Sequence, residues 1–200
     1  MSSIREQLLT KGFGRPEGLF GQFGGWLMAH SNGPTEKHLV KVAQLHPKDH
    51  VLVLGPGPGV GLRAAGKHAA LVVGVDPSDT MLLAAKHRCA DLVEAGRVQL
   101  VRGDAQDTHQ PDASANVVLS VNNVQLWPDR PAAFAEIHRV MKPNGRLFIS
   151  VHENWQPDGR TALTTELQHA GFAGVEAWTW DPPGRGAGTA LMLNCRRSSS

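Results

Sequence analysis

The chain has 200 residues, of which 20 are Lys or Arg and 18 are Asp or Glu, and its formal net charge is +2. This length favours a single domain, and the scattered basic residues, with no apolar run near ~20 residues, argue against nucleic-acid binding and a membrane span. Two distant cysteines without a secretory leader predict reduced thiols in a cytoplasmic protein, and ten dispersed histidines predict no metal site.

The first 35 residues are rich in glycine and carry large apolar side chains at helical spacing. Phe20, Phe23 and Trp26 belong to a predicted short amphipathic helix, although each glycine in it costs up to ~1 kcal/mol. Two interpretations of this segment stay open. It either covers an edge of the sheet or forms a mobile lid over a pocket, since a weak helix with large apolar side chains suits a segment that orders on a ligand.

Helices and strands alternate along the rest of the chain. A helix is predicted from Pro34 toward Pro47, and later helices are predicted over 78–95, 131–141 and 160–170. Apolar runs predict strands at 51–54, 71–75, 97–101, 116–121, 146–151, 174–180 and 189–195. This order predicts an α/β fold, doubly wound, with a mostly parallel seven-stranded sheet. A Pro-Gly loop at 181–186 predicts that the last two strands form an antiparallel hairpin.

The stretch from Val51 to Asp76 combines a strand, a glycine-rich turn, a short helix and a second strand that ends on an acid. Glycines after the first strand let backbone N–H groups approach a ligand, and a carboxylate after the next strand can accept both hydroxyls of a ribose. We therefore expect a ligand that contains a nucleoside. Residues 59–64 also fit the dinucleotide fingerprint G-x-G-x-x-A, but the turn after the strand begins earlier, at Gly55, and Pro58 removes an N–H that a pyrophosphate would need.

Four blocks of sequence resemble the class I S-adenosylmethionine-dependent methyltransferases, in particular small bacterial members without an inserted domain. The blocks are VLVLGPGPGVG at 51–61, GVDPS at 74–78, GDAQD at 103–107 and the stretch 120–150 that runs from SVNNVQLWPD to EIHRVMKPNGRLFIS. We expect one methyltransferase domain over 1–200, with an N-terminal helical lid segment at 1–35 and a Rossmann-like core at 48–197.

The resemblance implies that S-adenosylmethionine donates a methyl group to a small-molecule or natural-product acceptor, a peptide or a quinone-like molecule included, and leaves as S-adenosylhomocysteine. We expect the chain to act as a monomer or homodimer. Two other functions stay open: a non-catalytic S-adenosylmethionine-binding scaffold protein and an NAD(P)-dependent oxidoreductase.

The resemblance also implies a set of cofactor contacts, from the glycine loop to the end of the fourth strand. The glycines would pass the methionyl part, Asp76 would accept from the ribose, and Asp104 would bind the adenine amino group. Val53 stands where the family commonly carries an acid that orients the cofactor's amino group. Simpler interpretations exist, since Asp76 suits a helix cap, Asp104 suits a turn and Met81 suits the core. The full set is Gly55, Gly57, Gly59, Asp76, Pro77, Met81, Asp104, Ala105 and Asn122.

Methyl transfer from a sulfonium requires an aligned acceptor and the removal of water more than a nucleophilic side chain. His152 or His30 could act as a general base for an acceptor whose proton leaves early. An aromatic wall would suit a planar or apolar acceptor, although Trp127 could instead only fill the core. The predicted acceptor pocket consists of Phe20, Phe23, Trp26, Gln125 and Trp127.

Overall fold

The computed structural model describes residues 32–155, 159–184 and 188–198. Phe20, Phe23, Trp26 and His30 lie outside these residues, so the lid and the N-terminal part of the acceptor pocket stay predictions. Residues 32–35, at the end of the predicted lid segment, belong to the first described helix.

Helices and strands alternate through the described residues. Short 3-10 turns at Val124–Leu126 and Glu153–Trp155 follow the fourth and fifth strands. The elements are α1 (32–43), β1 (His50–Leu54), α2 (Val60–Gly66), β2 (Leu71–Asp76), α3 (Asp79–Arg88), α4 (Ala90–Glu94), β3 (Val98–Arg102), β4 (Ala115–Val121), α5 (Arg130–Val140), β5 (Met141–His152), α6 (Gly159–His169), β6 (Phe172–Trp180) and β7 (Ala190–Arg197).

The described strands form one seven-stranded sheet in the order β3-β2-β1-β4-β5-β7-β6. Strands β1 to β5 pair in parallel, whereas β7 pairs antiparallel with both β5 and β6. The predicted doubly wound sheet with a C-terminal antiparallel hairpin strand is confirmed. Since β1 lies between β2 and β4, the strand order reverses at β1, and ligands of open α/β sheets bind at the carboxyl ends of strands at such a reversal.

Alternate residues of β1 enter two different cores. Leu52 and Leu54 belong to the cluster around Phe134 of α5, while Val51 and Val53 belong to the cluster that α1 and α2 cover on the other face. All four side chains are nearly inaccessible to solvent. Helices on both faces explain why this strand is continuously apolar, and they leave the ends of the strands as the accessible part of the sheet.

The two largest differences between the predicted and the observed boundaries are a divided helix and an earlier strand start. The helix predicted over 78–95 is two helices, α3 and α4, because Cys89 leaves helical geometry with φ −107° and ψ 19°. The Cys89 side chain is buried at this break and its Sγ lies 3.8 Å from the carbonyl oxygen of Gly59. Strand β5 starts at Met141, five residues before the predicted start at residue 146, since Met141 already pairs with Ala115.

Candidate active site

The loop after β1 is fixed to both neighbouring strands. The Gly55 N–H donates to the carbonyl oxygen of Val75 in β2 at 2.9 Å. Asn123, just past β4, donates from Nδ2 to the carbonyl oxygen of Leu54 at 2.5 Å and accepts from Ser120 Oγ at 2.7 Å. A Cβ on Gly55 would lie 2.5 Å from Asn123 Nδ2, so this position has no room for a side chain.

The other two glycines of the loop have different surroundings, although both have a positive φ that favours glycine. Gly59, with φ 85°, precedes α2, and a Cβ there would lie 3.0 Å from the Ala85 Cα in α3. Gly57 has φ 50°, and no heavy atom of the described residues lies within 4 Å of the position that its Cβ would take. Packing therefore accounts for Gly55 and Gly59, whereas Gly57 faces space that a ligand can use.

Asp76 ends β2 beside this loop and is 6% exposed. Its Oδ2 accepts from the Gly57 N–H at 3.3 Å and its Oδ1 accepts from the Ser78 N–H at 2.9 Å. Burial raises the pKa of Asp76 to about 6, and the two N–H donors counteract part of that rise. The structure therefore places a poorly solvated carboxylate against Gly57, which among the three compared loop glycines is the one with an open outer side.

Asp104 lies after β3 and is exposed, whereas Ala105 is buried. Asp104 Oδ1 accepts from the Gln106 N–H at 2.8 Å and from the Asp107 N–H at 3.1 Å. This geometry is that of a turn-forming Asp, as the simpler interpretation predicted. Its role toward an adenine is not tested by these contacts.

Glu136 of α5 holds the continuation of this loop and was not predicted as a site residue. Its Oε1 accepts from the Thr108 N–H at 2.9 Å and from Thr108 Oγ1 at 2.6 Å, and its Oε2 accepts from Arg139 Nε at 2.7 Å. Burial opposes ionisation of Glu136, but the donors from Arg139 and Thr108 prevail and lower its pKa to about 2. The sequence shows Glu136 and Arg139 one turn apart on a helix, but nothing in it indicates the contact with Thr108.

Pro77 and Met81 do not lie together on a surface. Pro77 is exposed at the turn before α3, whereas Met81 is 3% exposed and its N–H is capped by Ser78 Oγ at 3.4 Å. Met81 is therefore a core residue in this structure, and an adenine contact by it stays a prediction.

Asn122 connects three elements at the carboxyl end of β4. Its N–H donates to the carbonyl oxygen of Ser150 at 2.7 Å, its Nδ2 donates to Asn32 Oδ1 at 3.0 Å, and its Oδ1 accepts from the His152 N–H at 2.9 Å. A positive φ of 52° at Asn122 permits this arrangement. Asn122 thus positions the end of β5 and the start of α1 beside the glycine loop.

A cleft of about 540 Å³ opens between the segment that follows β4, the start of α5 and Glu166 of α6. Gln125 and Trp127 line it together with Arg130 and Glu166, which form an ion pair at 2.8 Å. Gln125 Nε2 donates to the Asn122 carbonyl oxygen at 2.9 Å, while the buried Gln125 Oε1 has no partner among the described residues. Trp127 contacts Phe134 edge-on at 5.7 Å, so this side chain both fills the core and lines the cleft.

His152, the predicted base that the structure describes, ends β5 close to Asn122. Its Nδ1 accepts from the Asn154 N–H at 3.2 Å, and its ring stacks on Trp155 with the centroids 5.0 Å apart. The imidazole is therefore oriented at the same edge of the sheet as the glycine loop.

Within residues 32–155, 159–184 and 188–198, no group of three or more His, Cys, Asp or Glu side chains could hold a metal ion. No helix in this part of the chain has the length and apolarity needed to cross a membrane.

Residues 52–149 match the family model of the methyltransferase domain. The chain belongs to the class I S-adenosylmethionine-dependent methyltransferases. It is therefore an enzyme that uses S-adenosylmethionine, and the matched stretch contains the glycine loop, Asp76, the Asp104 loop and Asn122. The family assignment favours methyl transfer over the oxidoreductase and scaffold functions that the sequence left open.

The names of individual relatives of this methyltransferase describe different methyl acceptors or none. It is 29% identical over 162 residues to the uncharacterized methyltransferase YdaC of Bacillus subtilis and spans 87% of that protein. It is 35% identical over 103 residues to the demethylmenaquinone methyltransferase of Corynebacterium kroppenstedtii, of which it spans 42%. Among solved structures, one match is phosphoethanolamine N-methyltransferase 2 of Haemonchus contortus, in complex with phosphomonomethylethanolamine and S-adenosylhomocysteine. The match has a TM-score of 0.75 at 17% identity, and it covers 100% of this chain and 61% of that chain. At this identity, the structural match shows the fold.

Proposed function

We propose that this methyltransferase transfers the methyl group of S-adenosylmethionine to a small-molecule or natural-product acceptor, with a peptide or a quinone-like molecule as the acceptor kinds to test first. The cofactor would lie across the carboxyl ends of β1, β2 and β4, and the acceptor would enter through the cleft beside Gln125 and Trp127. We infer that the protein works as a monomer or homodimer in the cytoplasm.

One observation carries the proposed cofactor position. The buried Asp76 carboxylate and the open side of Gly57 lie next to each other, joined by the Gly57 N–H, at the reversal of strand order. A ribose brings two hydroxyl donors that suit a poorly solvated carboxylate. The glycine loop then passes the methionyl part, and Asn122 lines its tail. The residues present therefore fit the cofactor.

S-adenosylmethionine supplies a methyl carbon that the sulfonium has already activated. The residues of this chain have to hold an acceptor in line with that carbon and to exclude water. His152 is the proposed general base for acceptors that lose a proton early, because it ends β5 at the edge of the sheet where the glycine loop lies and its backbone N–H donates to Asn122 Oδ1. An acceptor that needs no early proton loss would react without it.

Exposed apolar side chains after β4 and β5 support an apolar or planar acceptor. Leu126 and Trp155 are 44% and 37% exposed, and both follow strand ends at this edge of the sheet. The free-energy cost of exposing these apolar side chains to water falls when an acceptor covers them. The names of the demethylmenaquinone and phosphoethanolamine relatives give two acceptor classes to compare directly.

Calorimetry and an acceptor panel test this proposal. We expect S-adenosylhomocysteine to bind at micromolar level and NAD(P) not to bind. Release of S-adenosylhomocysteine from S-adenosylmethionine should then rise with a quinol-like, phenolic or peptide acceptor and stay at background with DNA. Tight NAD(P) binding would contradict the cofactor assignment, and turnover restricted to nucleic acid would contradict the acceptor class.

A further inference from the structure

Glu36 of α1 carries a carboxylate that none of the contacts above involves. It lies one helical turn after Asn32, and its Oε2 accepts from the Gly61 N–H, in the first turn of α2. A Cβ on Gly61 would lie 3.0 Å from both the Cβ and the Oε2 of Glu36. Glycine at position 61 therefore allows this close approach of an acid from α1 to the helix that follows the glycine loop.

The Glu36 carboxylate borders a small cavity at the carboxyl end of β1. The cavity measures about 20 Å³, enough for roughly one water-sized group. Val53 and Gly55 line it from the β1 side, and none of the described residues that line it is Lys, Arg or His. The rest of its lining consists of Leu39, Val40, Leu54, Pro56, Gly61, Leu119 and Val121.

An acid in such surroundings either takes up a proton or pairs with a positive charge. Burial raises the pKa of Glu36 to about 7, although the Gly61 N–H and the more distant charges of Arg88 and Lys37 lower it. A single neutral N–H donor does not compensate an ionised carboxylate against apolar walls. A cation that enters the cavity would supply the missing charge.

We propose that Glu36 binds the α-ammonium group of the methionyl part of S-adenosylmethionine, a role that rests on the proposed cofactor position. The ammonium group has about the size of one water molecule, and Gly55, next to Asp76 and Gly57 in the site, also lines the cavity. Val53 offers no charge at this end of β1, so the carboxylate comes from α1.

A purely structural role for Glu36 predicts different behaviour. Gly59 precedes α2 without a side-chain cap, and Glu36 could serve only to satisfy the Gly61 N–H. Loss of Glu36 would then lower stability and would affect all ligands alike. A role in ammonium binding affects only ligands that carry the ammonium group.

Calorimetry with three ligands separates these roles. The ligands are S-adenosylhomocysteine, its analogue with hydrogen in place of the α-amino group, and methylthioadenosine, which lacks the whole amino-acid part. We expect Glu36→Gln to weaken S-adenosylhomocysteine by about 10- to 100-fold, as for a lost charge-assisted contact, and to leave the other two unchanged. Glu94→Gln, which removes an exposed acid on α4, should change none of them.

Two further variants complete the experiment. Glu36→Asp keeps the charge but withdraws it by one methylene, so it should weaken S-adenosylhomocysteine alone, even if Glu36→Gln does not fold. Val53→Asp in the Glu36→Gln background should recover part of the lost affinity, because it returns a carboxylate to the same cavity. Equal losses for all three ligands, or unchanged S-adenosylhomocysteine affinity, would overturn the role of Glu36. A wild-type protein that binds none of the ligands would instead refute the proposed cofactor position.

Discussion

Gly57 and Gly59 both have a positive φ but have different neighbours. Gly57→Ala should leave a folded protein, because its Cβ meets no described atom within 4 Å and the positive φ costs ~1–2 kcal/mol. The same change should weaken S-adenosylhomocysteine at least tenfold if the cofactor passes this point. Calorimetry measures the affinity and thermal unfolding measures the stability.

Gly59→Ala is the matched variant on the same loop. Its Cβ would lie 3.0 Å from the Ala85 Cα, and backbone cannot easily move away. We therefore expect a larger loss of stability than for Gly57→Ala. If the two variants were equally stable and bound S-adenosylhomocysteine with equal affinity, the open side of Gly57 would not be part of the site.

The raised pKa of Asp76 makes binding of the nucleoside part pH-dependent. The ribose hydroxyls need the ionised carboxylate, so affinity should fall as pH drops below about 6, approaching tenfold for each pH unit. Methylthioadenosine is the appropriate ligand, because it avoids Glu36, whose pKa is raised to about 7. Calorimetry between about pH 8 and pH 5 measures the profile, with circular dichroism to confirm folding. An affinity that stays constant over this range would contradict the ribose contact.

At the scale of elements, α5 stabilises the loop that carries Asp104. Glu136→Gln should lower the free energy of unfolding by about 1.5–3 kcal/mol, since it weakens charge-assisted hydrogen bonds with Thr108 and Arg139. The contribution of the Glu136 carboxylate is fully present above its ordinary pKa of 4.5 and is lost as pH falls toward about 2, because its pKa is lowered in the fold. Denaturant unfolding near neutral pH checks the size of the effect.

Asp112→Asn provides the control for this prediction. Asp112 pairs with the same Arg139, but its side chain is 79% exposed, and exposed pairs contribute only ~0–1 kcal/mol. A loss of stability as large as that of Glu136→Gln would assign the effect to Arg139 and not to the buried carboxylate.

Strand β1 was predictable from the sequence, whereas the division of the helix over 78–95 was not. The apolar run 51–54 lies within β1 because both faces of that strand are covered, and burial on both faces leaves a continuous apolar pattern. The break at Cys89 was not predictable, because its apolar spacing continues from α3 into α4. At the break the buried Cys89 side chain lies next to Gly59, 30 residues away, a contact that periodicity does not show.

At the scale of the whole molecule, topology explains which site residues the sequence could identify. Asp76, Gly57 and Asn122 follow strand ends, and parallel strands bring their carboxyl ends to one edge. The same reasoning does not identify Glu36 and Glu136, because they lie within helices and bind partners 25 and 28 residues away in the sequence. Such contacts depend on how helices pack on the sheet, which no local pattern specifies.

The central claim is that Asp76 holds the nucleoside part of the cofactor at the reversal of strand order. The most direct measurement is calorimetric binding of S-adenosylhomocysteine to Asp76→Ala. The control is Asp79→Ala, since Asp79 is exposed and forms a surface ion pair with Arg102 at 3.3 Å. Loss of two hydrogen bonds to a charged acceptor predicts an affinity at least ~100-fold weaker for Asp76→Ala and an unchanged affinity for Asp79→Ala. A folded Asp76→Ala protein that binds S-adenosylhomocysteine as tightly as the wild type would contradict the account.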